Sequence, residues 1–285
     1  MFKAIIQQII CVCIINECIQ QPNSLYSIFA KITNSLLPTP LIGNPFVVIG
    51  EVDSSNNYAM RQVQADLAEH GTCYFATYQN KGKGQRGKPW KGEPGQNIMM
   101  SIVLEPTFLT IDNQFFLNIA IALACYEMFN SYTIDKTCIK WPNDIYWGDR
   151  KAGGILIENI LQGKDWRFSI AGIGININQT VFPAELPNPV SLKQITGKTL
   201  DPVVLAKELA VYLEDKWQLL RQDNKDELLD QYNQILYKRN DTVTFKKDNA
   251  KFSAIVKGVA EDGQLIIDTG EVSKVPFGTV EWVLP

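Results

Sequence analysis

Histidine is almost missing from this chain, and the single imidazole, His70, excludes every mechanism that needs two. Paired-histidine zinc sites are therefore out, and any serine-type triad would hang on one residue. Cysteine is present at Cys11, Cys13, Cys18, Cys73, Cys125 and Cys138, yet no C-x-x-C pair occurs. The first three sit in an apolar stretch without histidine, so reduced thiols in a cytoplasmic protein are expected rather than a metal knot or a disulfide framework. A long hydrophobic run is lacking too. Ile5 to Ile19 is broken by Gln7, Gln8, Asn16 and Glu17, too short and too polar to span a bilayer, and no small-x-small cleavage site follows. An appended helix or an incorrectly assigned start is the expectation there. Basic excess is absent as well: 27 Lys and Arg against 30 Asp and Glu leave a net charge of −3. A surface that lives on a phosphate backbone carries a large positive excess, so neither a nucleic-acid nor a membrane partner is expected. With 46% hydrophobic and 20% charged residues, the composition is that of a folded globular chain.

Phe46–Val52 reads as a strand, and the cluster Asp53-Ser54-Ser55-Asn56-Asn57 offers caps to a helix running to about Glu69. Gly71 would close that helix, placing His70 in its last turn, where a partly cationic imidazole suits the dipole. Strands are predicted at 73–78, 97–104, 138–141, 154–159 and 167–176, with a turn at Gln162–Asp165. Residues 115–129 have helical spacing, and 202–236 form one long or two shorter amphipathic helices. Beyond Lys238 only short β segments remain, at 243–247, 251–259, 263–268 and 271–276. The expected division is an extension of unknown role over 1–43, a main domain over 44–237 and a small barrel over 238–285.

Four clusters carry chemistry. The first, Lys81 to Lys91, holds five cations, three glycines and Trp90 in eleven positions. Glycine lets the backbone close around an anion whose charge the cations offset. Gly82, Gly87 and Lys88 imitate a Walker A loop, but Pro89 stands where that motif needs a hydroxyl, so the match is accidental. The second is Lys140-Trp141-Pro142-Asn143-Asp144, an amide and a carboxylate at a turn beside a strand. The third is Lys151-Ala152-Gly153-Gly154-Ile155-Leu156-Ile157-Glu158, where an ammonium enters just before an apolar strand. The fourth is Gly172-Ile173-Gly174-Ile175-Asn176. Singly, each has a bland reading: a solvated basic turn, an Asx turn, two glycine strands.

In this order the clusters resemble the biotin protein ligases, which attach biotin to a lysine of biotin-dependent carboxylases. Asp53-Ser54-Ser55-Asn56 is similar to that family's D-S-T-N, and Gln79 leading into Gly82–Trp90 to its Q-x-x-G-R-G-R-R-G-R-x-W. Lys140–Asp144 is its KWPND unchanged, Lys151–Glu158 resembles K-x-x-G-I-L-x-E, and Gly172–Asn176 resembles G-x-G-I-N. Lys83 and Gln85 depart from it, standing where the family has arginines; a lysine does not grip phosphate with a bidentate fork.

The resemblance runs from about Gly50 to the C-terminus. It implies an α+β fold like the class II aminoacyl-tRNA synthetases, a mixed sheet flanked by helices, with a small SH3-like barrel at the end. It also implies an ATP-dependent ligase of the monofunctional type without a DNA-binding domain, forming biotinyl-5'-AMP and passing biotin to a carrier lysine. ATP and biotin would be substrates and Mg2+ the cofactor; the partner would be a biotin carboxyl carrier protein or domain of acetyl-CoA carboxylase or a related carboxylase. Catalysis falls to Lys151, Lys83 and Arg86. Biotin falls to Ser54, Ser55, Asn56, Gln79, Lys83, Gly84, Gln85, Lys151 and Gly154. Nucleotide and adenylate fall to Gly82, Gly84, Arg86, Trp90, Lys140, Asn143, Asp144 and Asn176, with no protein metal ligand assigned. The loop from Gly82 to Gly95, with Lys83 and Arg86 unpaired, is expected to order only when the adenylate binds. A lipoate-type ligase, a non-catalytic biotin sensor or repressor and a plain nucleotide-binding domain are the competing readings.

Overall fold

The computed structural model describes residues 41–284, and the readings of the N-terminal stretch lie outside them. Twelve strands and five α-helices follow one another among these residues, and both sheets belong to one compact unit beginning at Leu41. Seven strands form the main sheet: β1 (Phe46–Val52), β2 (Cys73–Gln79), β3 (Asn97–Leu104), β4 (Thr137–Lys140), β5 (Asp144–Trp147), β6 (Arg150–Gln162) and β7 (Asp165–Asn176). Their spatial order is β1-β2-β3-β7-β6-β5-β4; β1 runs parallel to β2 and every other pair is antiparallel. The sheet is therefore mixed and flanked by helices, as expected of an α+β chain.

Alternation along the strands decides what each face does. On one face Ile98, Met100, Ile102, Ala171, Ile173, Ile175 and Ile155 join the main core. Helix α2 (Gln114–Ser131) packs there, so apolar that eleven of its eighteen residues are buried. Helices α4 (Pro202–Arg221) and α5 (Lys225–Gln234) cover it from outside. On the other face α1 (Ser55–Gln64) seats Ala59 and Val63 against Tyr74, Val103 and Ile170. Beyond the end of α1 that face is left open. A short helix, α3 (Leu192–Thr196), opens on a Ser191–Gln194 capping box.

Five further strands, β8 (Thr242–Lys247), β9 (Ala250–Val259), β10 (Leu265–Asp268), β11 (Val272–Val275) and β12 (Glu281–Val283), pair antiparallel in the order β11-β10-β9-β8-β12. This is an open sheet with β11 and β12 at its edges; no ladder closes it into a barrel among the described residues. Trp141 holds it in place, donating from Nε1 to Gly263 O at 2.9 Å.

Sequence reading erred in several places. The first helix ends at Gln64, not near Glu69, because Asp66 takes a positive φ of 54° that breaks the helical path. His70 thus lies in a turn. Its Nδ1 accepts from Glu105 N at 3.3 Å and its ring lies 4.8 Å from that of Trp217. Burial pushes its pKa down, so the imidazole is neutral rather than cationic. The strands β5 and β12 and the helix α3 were not anticipated, and residues 202–236 divide into two helices where Asp223 adopts a φ of 62°. Cys73, Cys125 and Cys138 are free thiols, and burial raises the pKa of each.

A folded pKa below the unfolded 6.5 makes His70 a source of acid sensitivity. Its contribution is complete above about pH 6.5 and is lost as pH falls toward the folded value, because the unfolded chain takes up the proton first. A His70→Gln chain is expected to lose less thermal stability than the parent between pH 7 and pH 5. Parallel melting curves across that range check it; superposable pH profiles would contradict it.

Candidate active site

The open end of the sheet is a cleft of about 610 Å³. Its floor follows from register. Ser101, Gly172 and Leu156 lie abreast on β3, β7 and β6, and Met99, Gly174, Gly154 and Asp144 lie abreast on β3, β7, β6 and β5. Three glycines at the centre keep the floor low. A methyl group on Gly172 would stand 2.2 Å from Asn56 Oδ1, and one on Gly174 would stand 2.4 Å from the Trp90 indole. The alternation Gly-Ile-Gly-Ile therefore puts isoleucine into the core and bare backbone under the cleft.

At one end the start of α1 supplies Ser54, Ser55 and Asn56, all buried. Ser54 caps the helix without a side-chain bond; instead the Ser55 N–H donates to Gln79 Oε1 at 2.6 Å. Ser101 donates to Asn56 Oδ1 at 2.5 Å, and its hydroxyl lies 2.7 Å from that of Ser55. Asn56 Nδ2 donates to Glu158 Oε2 at 2.8 Å and to Leu156 O at 3.3 Å. Below this group Asp53 accepts from Arg61 and Asn57, and the Arg61 guanidinium holds its carboxyl far below the usual range.

Lys151 stands at mid-cleft, its Nζ 2.6 Å from Asp144 Oδ1. Its backbone is anchored on both sides, with Lys151 N donating to Asn188 O at 2.8 Å and Val190 N to Lys151 O at 2.9 Å. Gly154 leaves room for the pair: a methyl group there would stand 3.3 Å from Asp144 Oδ1 and 3.4 Å from Lys151 Nζ. Lys140 approaches from β4, 5.4 Å from the ring centroids of both Tyr146 and Trp282. Burial lowers its pKa; Asp144 opposes that shift, and Lys151 and Lys88 add to it. A cation so placed favours any anion brought beside it.

The glycine-rich loop folds over the cleft as a small hairpin. Gly84 N donates to Lys88 O at 2.7 Å and Trp90 N to Gly82 O at 2.9 Å. Arg86, at its tip, takes a left-handed φ of 55°, and its Cζ lies 3.7 Å from where a methyl group on Gly278 would stand. It thus reaches across the cleft mouth to the C-terminal segment. Lys83 is not unpaired as expected: its Nζ lies 3.5 Å from Glu158 Oε1. Both groups are substantially exposed, so this pair contributes little to stability and is free to exchange for another anion.

Of the expected site residues, Ser54, Ser55, Asn56, Gln79, Lys83, Gly84, Gln85, Arg86, Trp90, Lys140, Asn143, Asp144, Lys151, Gly154 and Asn176 all line this cleft. Gly82 does not; it borders a smaller cleft of about 350 Å³ on the other side of Trp90. Asn143 and Asn176 are already engaged by the fold. Asn143 Nδ2 donates to Ile155 O, and Asn176 Nδ2 to Val190 O at 3.1 Å. Sequence reading missed Ser101, Tyr146, the wall from Phe182 to Pro189, and Phe277, Val280 and Trp282 from the C-terminal sheet. Ser101 alone carried a signal, a hydroxyl inside an otherwise apolar strand. Trp90 Nε1 and Trp282 Nε1, both from cleft residues, are buried without a hydrogen-bond partner.

This is a cleft with a polar pocket at one end, a cationic centre and a basic loop above it, the layout of a site for joining two anions. Residues 49–176 match the model of the biotin/lipoate A/B protein ligase family. Across 249 residues the chain is 26% identical to the bifunctional ligase/repressor BirA of Bacillus spizizenii, covering 86% of this chain and 76% of that one. It is 30% identical over 162 residues to a biotin--[acetyl-CoA-carboxylase] ligase of Paracoccus denitrificans, covering 54% and 65%. Its fold is like that of the Aquifex aeolicus biotin protein ligase solved with biotin and ATP, with a TM-score of 0.71 and 24% identity over 84% of this chain and 98% of that one. The chain belongs to the biotin/lipoate A/B protein ligase family, among its biotin protein ligases, and is a ligase enzyme.

Proposed function

We propose that the chain condenses biotin with ATP to biotinyl-5'-AMP and transfers the biotinyl group to a lysine of a biotin carboxyl carrier domain. The observation that supports this most directly is the Lys151–Asp144 pair, with the Ser55–Ser101–Asn56 group at the same cleft's end. The bicyclic ring would sit at that end and its valeryl carboxylate would reach Lys151. In the first step a carboxylate oxygen bonds to the α-phosphorus, and diphosphate leaves with the electron pair of the broken P–O bond. The nucleophile is already an anion, so no base is required. What the chain supplies is position and charge: Lys151 between both reactants, Lys140 behind it, and Lys83 and Arg86 above. In the second step the carrier amine attacks the acyl carbon and AMP leaves with its bonding pair. Trp90, lying on Gly174, would shield the anhydride from water until then.

No three His, Cys, Asp or Glu residues stand together among the described residues. Acidic donors in the cleft wall are Asp144, Glu185 and Glu281. Mg2+ keeps most of its ligands from phosphate and water, and Asp144 is the carboxylate placed to touch such an ion at the centre. We further read the open five-stranded sheet as the small SH3-like domain, from about residue 238, that helps enclose nucleotide and carrier. No helix among the described residues is long and apolar enough to cross a membrane. Together with the net charge of −3, this supports a cytoplasmic site of action without a nucleic-acid partner.

The test offers ATP, Mg2+ and either labelled biotin or labelled lipoate, then an apo-carrier domain. Diphosphate release and carrier labelling with biotin alone are expected. Preference for lipoate, or no diphosphate with either acid, would overturn the reading.

A further inference from the structure

Glu158 touches two cleft residues without lining the cleft itself. It lies on β6 beyond Leu156, opposite Ile170 in the ladder, with its carboxylate divided between Asn56 and Lys83. A carboxylate only accepts hydrogen bonds, whereas an asparagine amide has a donor end and an acceptor end. Asn56 must therefore turn Nδ2 toward Glu158 and Oδ1 toward Ser101. Oδ1 cannot donate, so the single Ser101 hydrogen is committed to it. In the 2.7 Å contact between the two serines, the hydrogen must then come from Ser55. Ser55 is left with lone pairs, not a proton, to offer the cleft.

We infer that Glu158 is a positioning residue that sets the hydrogen-bond polarity of the ring end, through Asn56 and Ser101 to Ser55, so that Ser55 accepts from an N–H of the bound ring. This rests on the biotin reading and specifies it: the pocket selects a ring that donates, such as a cyclic urea, over one with no N–H, such as a dithiolane. The Lys83 contact gives the device a direct test. Glutamine at 158 keeps the shape, but its one oxygen is drawn to the Lys83 ammonium, which turns its NH2 toward Asn56. Asn56 then flips, Ser101 must donate to Ser55, and the Ser55 hydrogen points at the ring N–H. In Glu158→Ala, by contrast, Leu156 O still accepts from Asn56 Nδ2, and the polarity survives.

The isosteric variant is therefore expected to be the worse of the two. For Glu158→Gln the KM for biotin should rise about tenfold, one hydrogen bond turned from favourable to opposed, with kcat nearly kept. For Glu158→Ala the rise should stay within about threefold. Calorimetric titration of biotin into both variants and the parent, with melting curves as folding controls, reads the same order without turnover. A parent that does not bind biotin would overturn the functional reading, and this inference with it. A parent that binds biotin, beside an alanine variant as weak as or weaker than the glutamine variant, would overturn the inference alone, because a plain tether or packing role gives that order.

Discussion

Lys151→Ala is expected to lower biotin-dependent ATP–pyrophosphate exchange by roughly a thousandfold while leaving the melting temperature within a few degrees of the parent. Two features separate catalysis from stability here. The Lys151 and Asp144 side chains keep 33% and 20% of their exposure, and pairs open to water contribute about 0–1 kcal/mol to folding. Strand pairing around position 151 runs through backbone atoms to Asn188 and Val190 and survives the truncation. The reaction has no such reserve. Without the ammonium, a carboxylate and an α-phosphate must approach each other beside the bare Asp144 carboxylate. One unit pair at 4 Å is worth about 4 kcal/mol at an effective dielectric constant of 20, which is close to three powers of ten in rate. Lys140 does not replace it, because its ammonium is held between the rings of Tyr146 and Trp282. Near-normal exchange in the variant would remove Lys151 from the centre of the mechanism.

How much of this was legible beforehand depended on whether a residue's task is local. Gly172-Ile173-Gly174-Ile175 announces a strand with one bare face, and the structure uses that face as the cleft floor. Lys151, Asp144 and Ser55 sit in short motifs whose own spacing brings them forward. Ser101 and Glu158 could be assigned no such task, since each matters only through the register of β3, β7 and β6, which joins positions about fifty residues apart. The wall supplied by Phe277, Val280 and Trp282 depends on how a second sheet seats against Trp141, a contact across 122 residues. His70 shows the opposite failure. A glycine one residue on suggested a helix end, but Asp66 had already turned the chain, and packing on Trp217 sets the imidazole's charge instead of a helix dipole. Asn143 and Asn176 were read as ligand groups because they are polar residues in motifs. Both amides in fact tie the cleft walls to neighbouring carbonyls, Ile155 O and Val190 O.

Gly172→Ala is expected to weaken biotin binding by about a hundredfold, the loss of two ordinary hydrogen bonds, while nucleotide binding is spared. The added methyl group would lie 2.2 Å from Asn56 Oδ1, 2.8 Å from its Cγ and 3.0 Å from its Nδ2. An amide on a flexible surface side chain would swing aside at little cost. This one is 3% exposed and held by Ser101, Glu158 and Leu156 O, so it moves only by giving up those bonds. Forcing a methyl group into such a site costs typically 1–3 kcal/mol of stability, which should show as a melting temperature lower by a few degrees. Gly50 supplies the control: a methyl group there meets nothing within 4 Å, so Gly50→Ala should bind like the parent. Because the lesion lies at the ring end, saturating biotin should restore most of the exchange rate to the Gly172 variant, whereas no concentration of either substrate should restore it to Lys151→Ala. Titrating both substrates against both variants separates a pocket that holds one reactant from a charge that makes the two react. A Gly172 variant with unchanged biotin affinity would mean that Asn56 does not face the bound ring.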